Sequence, residues 1–186
     1  MSGPVVAEPL ERERALGALT GLALGDALGM PTQSMSPARI RRCYGEITGL
    51  RDAVAEQPIA PSVPAGSVTD DTEQALILAG LLIDGGGRID PHQLADALLR
   101  WEDDMRARGS LDLLGPSTKL ALERVRAGAD PHCTGRQGTT NGAAMRVAPV
   151  GVAFSVSADG DALARAVQAS CLVTHDTRQG FEAAGL

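Results

Sequence analysis

Aromatic residues are almost missing from this sequence: one Trp, one Tyr and two Phe, 2% of its 186 residues. That scarcity excludes an aromatic-rich β-sandwich or barrel, whose strands favour aromatic and β-branched side chains. Apolar residues still make up 44%, enough for one core of ordinary size, built from Leu, Ala, Val and Ile. Closely packed helices are the expected architecture. Cysteine is also sparse. Cys43, Cys133 and Cys171 stand far apart without C-x-x-C spacing, which excludes a disulfide framework and a cysteine zinc site and points to a reducing compartment. Positive charge is in the minority, with 17 Lys and Arg against 23 Asp and Glu and a net charge of −6. A broad basic surface for nucleic acid is thereby excluded; Arg39, Arg41 and Arg42 read as the solvated face of a short helix. No apolar run approaches the roughly 20 residues that span a bilayer, and Met1 to Leu10 has no charged segment followed by an apolar one. Neither a membrane nor nucleic acid is an expected partner, and the cytoplasm is the expected location.

What is present is helical punctuation. Residues 1–9, with Pro4 and Pro9, read as a disordered leader, and residues 10–186 as part of one all-α domain. A helix is expected from Glu11 to Leu28, carrying Gly17, Gly21, Gly25 and Gly29 along one face. Each interior glycine costs about 1 kcal/mol relative to Ala, so the strip calls for close approach by a neighbour: a packed helix at Gly17 and Gly21, a helix or a ligand at Gly25 and Gly29. Ser36 and Pro37 start a short helix ending at Gly45. Residues 46–66, with Pro58, Pro61 and Pro64, form a long loop of the kind that serves as a lid or binding loop. Asp90-Pro91 caps a helix to Arg108 with Leu94, Leu98, Trp101 and Met105 on its apolar stripe. Further helices are expected from Gly115-Pro116-Ser117 to Ala127, from Asp161 to Ala169, and from Arg178, where the sequence breaks off without a stop signal.

The loop delivers the chain to Ser67-Val68-Thr69-Asp70-Asp71-Thr72-Glu73, just ahead of the apolar run Ala75 to Ala79. Hard divalent cations take oxygen ligands, and adjacent carboxylates beside a Thr hydroxyl at a helix start offer several. The same residues also satisfy a plainer requirement. Asp70 and Glu73 have the N-cap and N3 spacing of a capping box, and acidic side chains suit a first helical turn.

Four separated stretches together resemble the ADP-ribosylglycohydrolase family. Gly21-Leu22-Ala23-Leu24-Gly25-Asp26-Ala27-Leu28-Gly29 resembles its N-terminal helix, and Thr69-Asp70-Asp71-Thr72 its first metal motif. Asn141-Gly142-Ala143-Ala144-Met145-Arg146 resembles its ribose-side loop and helix, and Thr174-His175 a later substrate-lining turn. The resemblance implies an all-α fold holding two Mg²⁺ ions, or Mn²⁺, and hydrolysis of ADP-ribosylated proteins or small ribosyl conjugates. By motif match Thr69, Asp70 and Asp71 are the metal ligands, with Asp70 and Asp71 catalytic. Gly138, Thr139, Asn141, Gly142, His175 and Gln33 are the substrate-facing candidates. Main-chain amides around Gly138 to Gly142 would meet phosphate or ribose oxygens, unless this is an ordinary helix entry capped by Asn141. His175 would face the nucleoside or serve as a buried structural residue. Asp26 would orient ligands from behind or break the end of its helix.

Two departures stand out. Where the family pattern G-D-A-L-G-x-P-x-E carries Glu, this chain has Gln33, which cannot ionise. The second metal motif, Asp-x-Asp followed by Thr or Ser, has no match: Asp159-Gly160-Asp161-Ala162 lacks the hydroxyl and reads as a helix cap. Asp112 is a weak further acidic candidate. The competing expectations are a non-catalytic relative, ADP-ribose-binding or purely structural, that has lost turnover, and a metal phosphohydrolase built on His175-Asp176 with His92 and His132.

Overall fold

The computed structural model describes residues 9–109, 114–154 and 156–186; residues 1–8 of the leader expected over 1–9, together with Asp112, lie outside them, and Pro9 is the first residue of a helix. Among the described residues there are ten α-helices and no strand. The longest early element, α1, runs Pro9–Gly29 and passes through a single 3-10 turn, Met30–Thr32, into α2, Pro37–Tyr44. Ser36 caps α2, its hydroxyl accepting from Arg39 N. The acidic stretch opens α3, Asp70–Asp84, and α4 follows as Pro91–Ala107. Then come α5, Pro116–Arg126, and three short helices: α6, Pro131–Thr134, α7, Gly142–Arg146, and α8, Ala148–Ala153. The chain ends on α9, Val156–His175, and α10, Arg178–Gly185.

Periodicity explains the core. Leu94, Leu98, Trp101 and Met105 on α4 are all buried, and they meet Leu78 and Leu82 of α3, Leu122 of α5, Val150 of α8 and Val167 and Val173 of α9. Each such Leu or Val contributes about 1.5–3 kcal/mol through burial. Asp90 caps α4 by accepting from His92 N and Gln93 N. Asp159 does the same inside α9, accepting from Ala162 N at a break in helical geometry. The expected helix ending at Ala169 instead continues through Cys171 to His175.

A smaller cluster of Met30, Ala53 and Ala60 forms where the 46–66 loop folds against the end of α1. Polar staples hold it. The Tyr44 hydroxyl donates to Pro31 O (2.8 Å) and accepts from Val54 N (3.0 Å). Buried Gln57 donates through Nε2 to Met30 O (3.3 Å) and Gln33 O (3.1 Å), while its Oε1 accepts from Ile59 N and Ala60 N. This loop is an ordered wall beside Gln33.

Two expectations fail here. Among the described residues glycines 17 and 21 meet no packed helix: a Cβ at Gly17, Gly21, Gly25 or Gly29 would meet no described atom within 4 Å. Nor do Asp70 and Glu73 form a capping box. The N-cap is Thr69, Asp70 is the first helical residue, and Glu73 turns away to α4. There it accepts from Trp101 Nε1 (2.6 Å) and, in fork geometry, from both terminal nitrogens of Arg108 (2.9 Å each). Burial raises the Glu73 carboxyl, but the bonds from Arg108 and Trp101 outweigh it and leave the group below its usual range.

Candidate functional site

The first turn of α3 is held by a residue 43 positions earlier. Asp26, one turn from the end of α1, accepts from Thr69 N (2.8 Å), the Thr69 hydroxyl (2.7 Å), Thr72 N (3.2 Å) and the Thr72 hydroxyl (2.6 Å). It thus caps α3 from another helix, supplying the acceptor that the Thr69 side chain does not. Asp26 lies inside α1, which removes the helix-breaking alternative.

This arrangement explains why threonines flank the two aspartates. The Thr72 hydroxyl donates to Asp26, and the Thr69 hydroxyl donates to Asp26 Oδ1 (2.7 Å) with a longer contact to Asp71 Oδ2 (3.3 Å), so the capping role falls to Asp26 and not to Asp70 or Asp71. Three carboxylates are crowded together, and among the described residues no cationic side chain hydrogen-bonds to Asp26, Asp70 or Asp71. The electrostatic result is plain. Burial first, then the charges of Asp71 and Asp26, push the Asp70 carboxyl up to about 7. Asp71 is raised by burial and by Asp26, partly offset by the Thr69 hydroxyl. A donor set of oxygens alone, carrying negative charge with no cation hydrogen-bonded to it, fits a hard divalent cation.

The turn opens onto a groove of about 450 Å³ lined by Gly21, Gly25 and Gly29 of α1 with Asp26, Gln33, Thr69, Asp71 and Asn141. The bare glycine strip is one wall of it. Four sequence candidates from three distant segments, Gln33, Thr69, Asp71 and Asn141, therefore share one surface. Asp70 stands beside them but is only 8% exposed. Gln33 Nε2 is buried without a hydrogen-bond partner. Asn141 is exposed, and its side chain caps nothing at the start of α7.

The remaining candidates are placed differently. Gly138 and Gly142 are buried against the end of α9: a Cβ at Gly138 would collide with the Thr174 carbonyl, and one at Gly142 would lie 2.6 Å from His175 Cε1. Close approach does explain these glycines, but the approaching group is the protein's own. The amides of Thr139 and Thr140 both donate to Ser117 Oγ (3.2 and 3.3 Å), and Gly138 N donates to Gly135 O (2.9 Å). Thr139 is exposed but does not line the groove.

His175 is fully buried, with its ring nitrogens 3.0 Å from Thr140 Oγ1 and 2.8 Å from Thr174 Oγ1. No ring face is open to a nucleoside, so the buried structural alternative describes it. Burial, and then the Arg146 charge, push its pKa down to about 4. A neutral ring with one donor and one acceptor nitrogen suits two hydroxyl partners. With His175 so engaged, the three histidines do not gather into a phosphohydrolase centre.

Sequence reasoning missed the group beneath the site. Arg146, in the motif matched to the ribose side, is fully buried, donating to Gln74 Oε1 (2.9 Å), Ser170 O (2.8 Å) and Thr174 Oγ1 (2.6 Å). Burial lowers its pKa to about 10, still charged at neutral pH. The detectable signal was a lone Arg among Ala, Met and Val, where a buried charge needs several partners.

The ADP-ribosylglycohydrolase family model matches residues 7–186. The uncharacterized protein YegU of Escherichia coli K12 is 39% identical over 142 residues, which are 76% of this chain and 42% of YegU. ADP-ribosyl-(dinitrogen reductase) glycohydrolase of Rhodospirillum rubrum is 33% identical over 162 residues, 82% of this chain and 47% of that enzyme. Among solved structures, an ADP-ribosylglycohydrolase-related protein complex superposes with a TM-score of 0.67 at 33% identity, covering 94% of this chain and 53% of that one. The chain spans about half the length of the curated relatives it matches.

Proposed function

This chain belongs to the ADP-ribosylglycohydrolase family, and we propose from that premise that it forms the metal-binding, ribose-facing part of a cytoplasmic hydrolase. The reaction is cleavage of the N- or O-glycosidic bond joining ADP-ribose, or a related ribosyl group, to a protein side chain or small leaving group. The observation that carries this reading is Asp26 taking the hydrogens of Thr69 and Thr72. With Asp26 capping the turn, Asp71 faces the groove and Asp70 stands just beneath it, neither hydrogen-bonded to a cationic side chain among the described residues.

Thr69, Asp70 and Asp71 would hold Mg²⁺, or Mn²⁺ in its place, with two ions in the complete site. When bound, such ions supply orientation and activation of the attacking water and hold ribose hydroxyls. The chain's own residues do the rest. Asp70 and Asp71 place negative charge near a ribosyl carbon that becomes oxocarbenium-like during cleavage. Gln33 and Asn141, neutral and on the same groove, offer donors and acceptors to ribose hydroxyls. The glycine strip lets substrate lie against the α1 backbone.

The test is a Mg²⁺ titration joined to hydrolysis assays on ADP-ribosyl-arginine, ADP-ribosyl-serine and simple ribosides. Asp70→Asn and Asp71→Asn are each expected to abolish ion binding and turnover while the protein stays folded. Wild-type turnover surviving in either variant contradicts the reading. One observation favours a second reading, a relative that binds ADP-ribose without turnover. Gln33 stands where the family pattern has Glu, with its amide nitrogen buried and unpartnered. ADP-ribose binding with no hydrolysis of any of these substrates selects it.

A further inference from the structure

Outside the groove, three metal-ligating side chains from two segments meet at the surface. The tripeptide Asp-Pro-His occurs twice, as Asp90-Pro91-His92 and Asp130-Pro131-His132, and opens α4 and α6 respectively. In both copies the aspartate accepts main-chain N–H bonds and the proline occupies the first turn. Helix initiation needs nothing more than these two residues. The histidine in each copy donates its main-chain N–H to the cap, which any residue there would do, yet the two imidazole rings converge. Their ring centroids are 5.3 Å apart at an interplanar angle of 61°. One ligand atom each from His92, His132 and Asp130 lies within 4.8 Å of the other two, with His132 Nδ1 2.9 Å from Asp130 Oδ1.

We propose that His92, His132 and Asp130 form a surface site for one borderline divalent transition-metal ion, of which Zn²⁺ is the type, joining the start of α4 to α6. Two imidazoles and a carboxylate are the ligand chemistry such ions favour over Mg²⁺. Ligand bonds of about 2.0–2.2 Å require the three atoms to draw somewhat closer than they stand. All three side chains are exposed and can rotate to do so. Asp130 keeps its cap through Oδ1 and has Oδ2 for the ion. Its carboxyl lies below the usual range, first through the His132 main-chain N–H and then the His132 ring. Water would complete the coordination at this open position. None of the three residues lines the groove, so this ion and the groove's cations occupy separate places and differ in hardness.

The test is isothermal titration of the whole, tag-free protein with Zn²⁺ in the presence of millimolar Mg²⁺. One Zn²⁺ per chain is expected, with an accompanying rise in melting temperature. Affinity should fall at least tenfold in His92→Ala and in His132→Ala. Asp130→Asn, which preserves the helix cap, should also weaken binding, whereas Asp71→Asn and Cys133→Ser should not. Circular dichroism of the variants checks that they fold. Zn²⁺ affinity unchanged in both histidine variants overturns the proposal, as does Zn²⁺ binding that disappears in Asp71→Asn or is displaced by Mg²⁺.

Discussion

Asp26 accepts hydrogen bonds from residues on both sides of the aspartate pair, so its removal acts on the pair without replacing either member. Asp26→Ala would strip the acceptor from two main-chain N–H groups and from the buried Thr69 and Thr72 hydroxyls. A loss of about 1–3 kcal/mol in urea unfolding is expected from leaving such groups unsatisfied. Divalent-ion affinity should fall roughly 10–100-fold, the usual consequence of losing a group that orients metal ligands. Affinity at the wild-type level, measured by titration, would mean that something else fixes the turn. The Thr-Asp-Asp-Thr order was visible in the sequence, and so was an aspartate among glycines. Their union was not: a contact across 43 residues leaves no periodic trace, and the local Asp70–Glu73 spacing pointed to a cap that the fold did not build. Glu73 found stronger partners in Trp101 on α4 and in Arg108 just past its end.

At the scale of elements, α1 trades helix propensity for an open wall. Among the described residues a Cβ at any of its four glycines meets no atom within 4 Å, so a side chain placed at Gly21, Gly25 or Gly29 fills the groove and leaves the core alone. Gly25→Leu should therefore keep or raise thermal stability, by up to about 1 kcal/mol from helix propensity, while abolishing ligand binding. A melt paired with an ADP-ribose titration reads both halves. A destabilised protein would show that α1 packs more tightly than this. The 46–66 segment makes the opposite bargain, with little regular structure and several staples. Gln57→Ala would release the bonds to Met30 O and Gln33 O and to the loop's own amides. A cost of about 1–3 kcal/mol is expected, with faster proteolysis between residues 46 and 66. Prolines marked this segment as a loop; its buried glutamine could not be told from a solvated one by sequence pattern.

At the scale of the whole molecule, one buried polar chain ties the bundle together. Gln74 of α3, Arg146 of α7, Ser170, Thr174 and His175 of α9, and Thr140 are linked in sequence of contact. Its pH signature follows from His175. The folded ring titrates near 4 and an unfolded one near 6.5. The unfolded chain therefore binds the extra proton between those values. His175's contribution is complete above about pH 6.5 and lost as pH falls toward 4, with a ceiling of about 3 kcal/mol. Asp70, raised to about 7, slopes the other way across the same window when no cation is bound. The wild-type curve thus mixes the two, and comparison with His175→Gln separates them. In chelator, stability of that variant relative to wild type should improve on going from pH 7 to pH 5; parallel curves would place His175 in contact with solvent.

Helices α2, α4 and α5, the Asp90 cap and the apolar stripe of α4 were written in the sequence alone, because periodicity, Asp-Pro starts and glycine stops act over a few residues. So was the acidic turn itself, as adjacent carboxylates flanked by hydroxyls at a helix start. Only the tertiary structure decided which polar residues face the groove and which are sealed beneath it. Gln33 and Asn141 came to the surface of the site, while His175, Gly138 and Gly142 went into packing. The physical reason is that burial belongs to the sum of distant neighbours: a histidine or a glycine has no exposure of its own until α9 and the 135–142 loop close on each other.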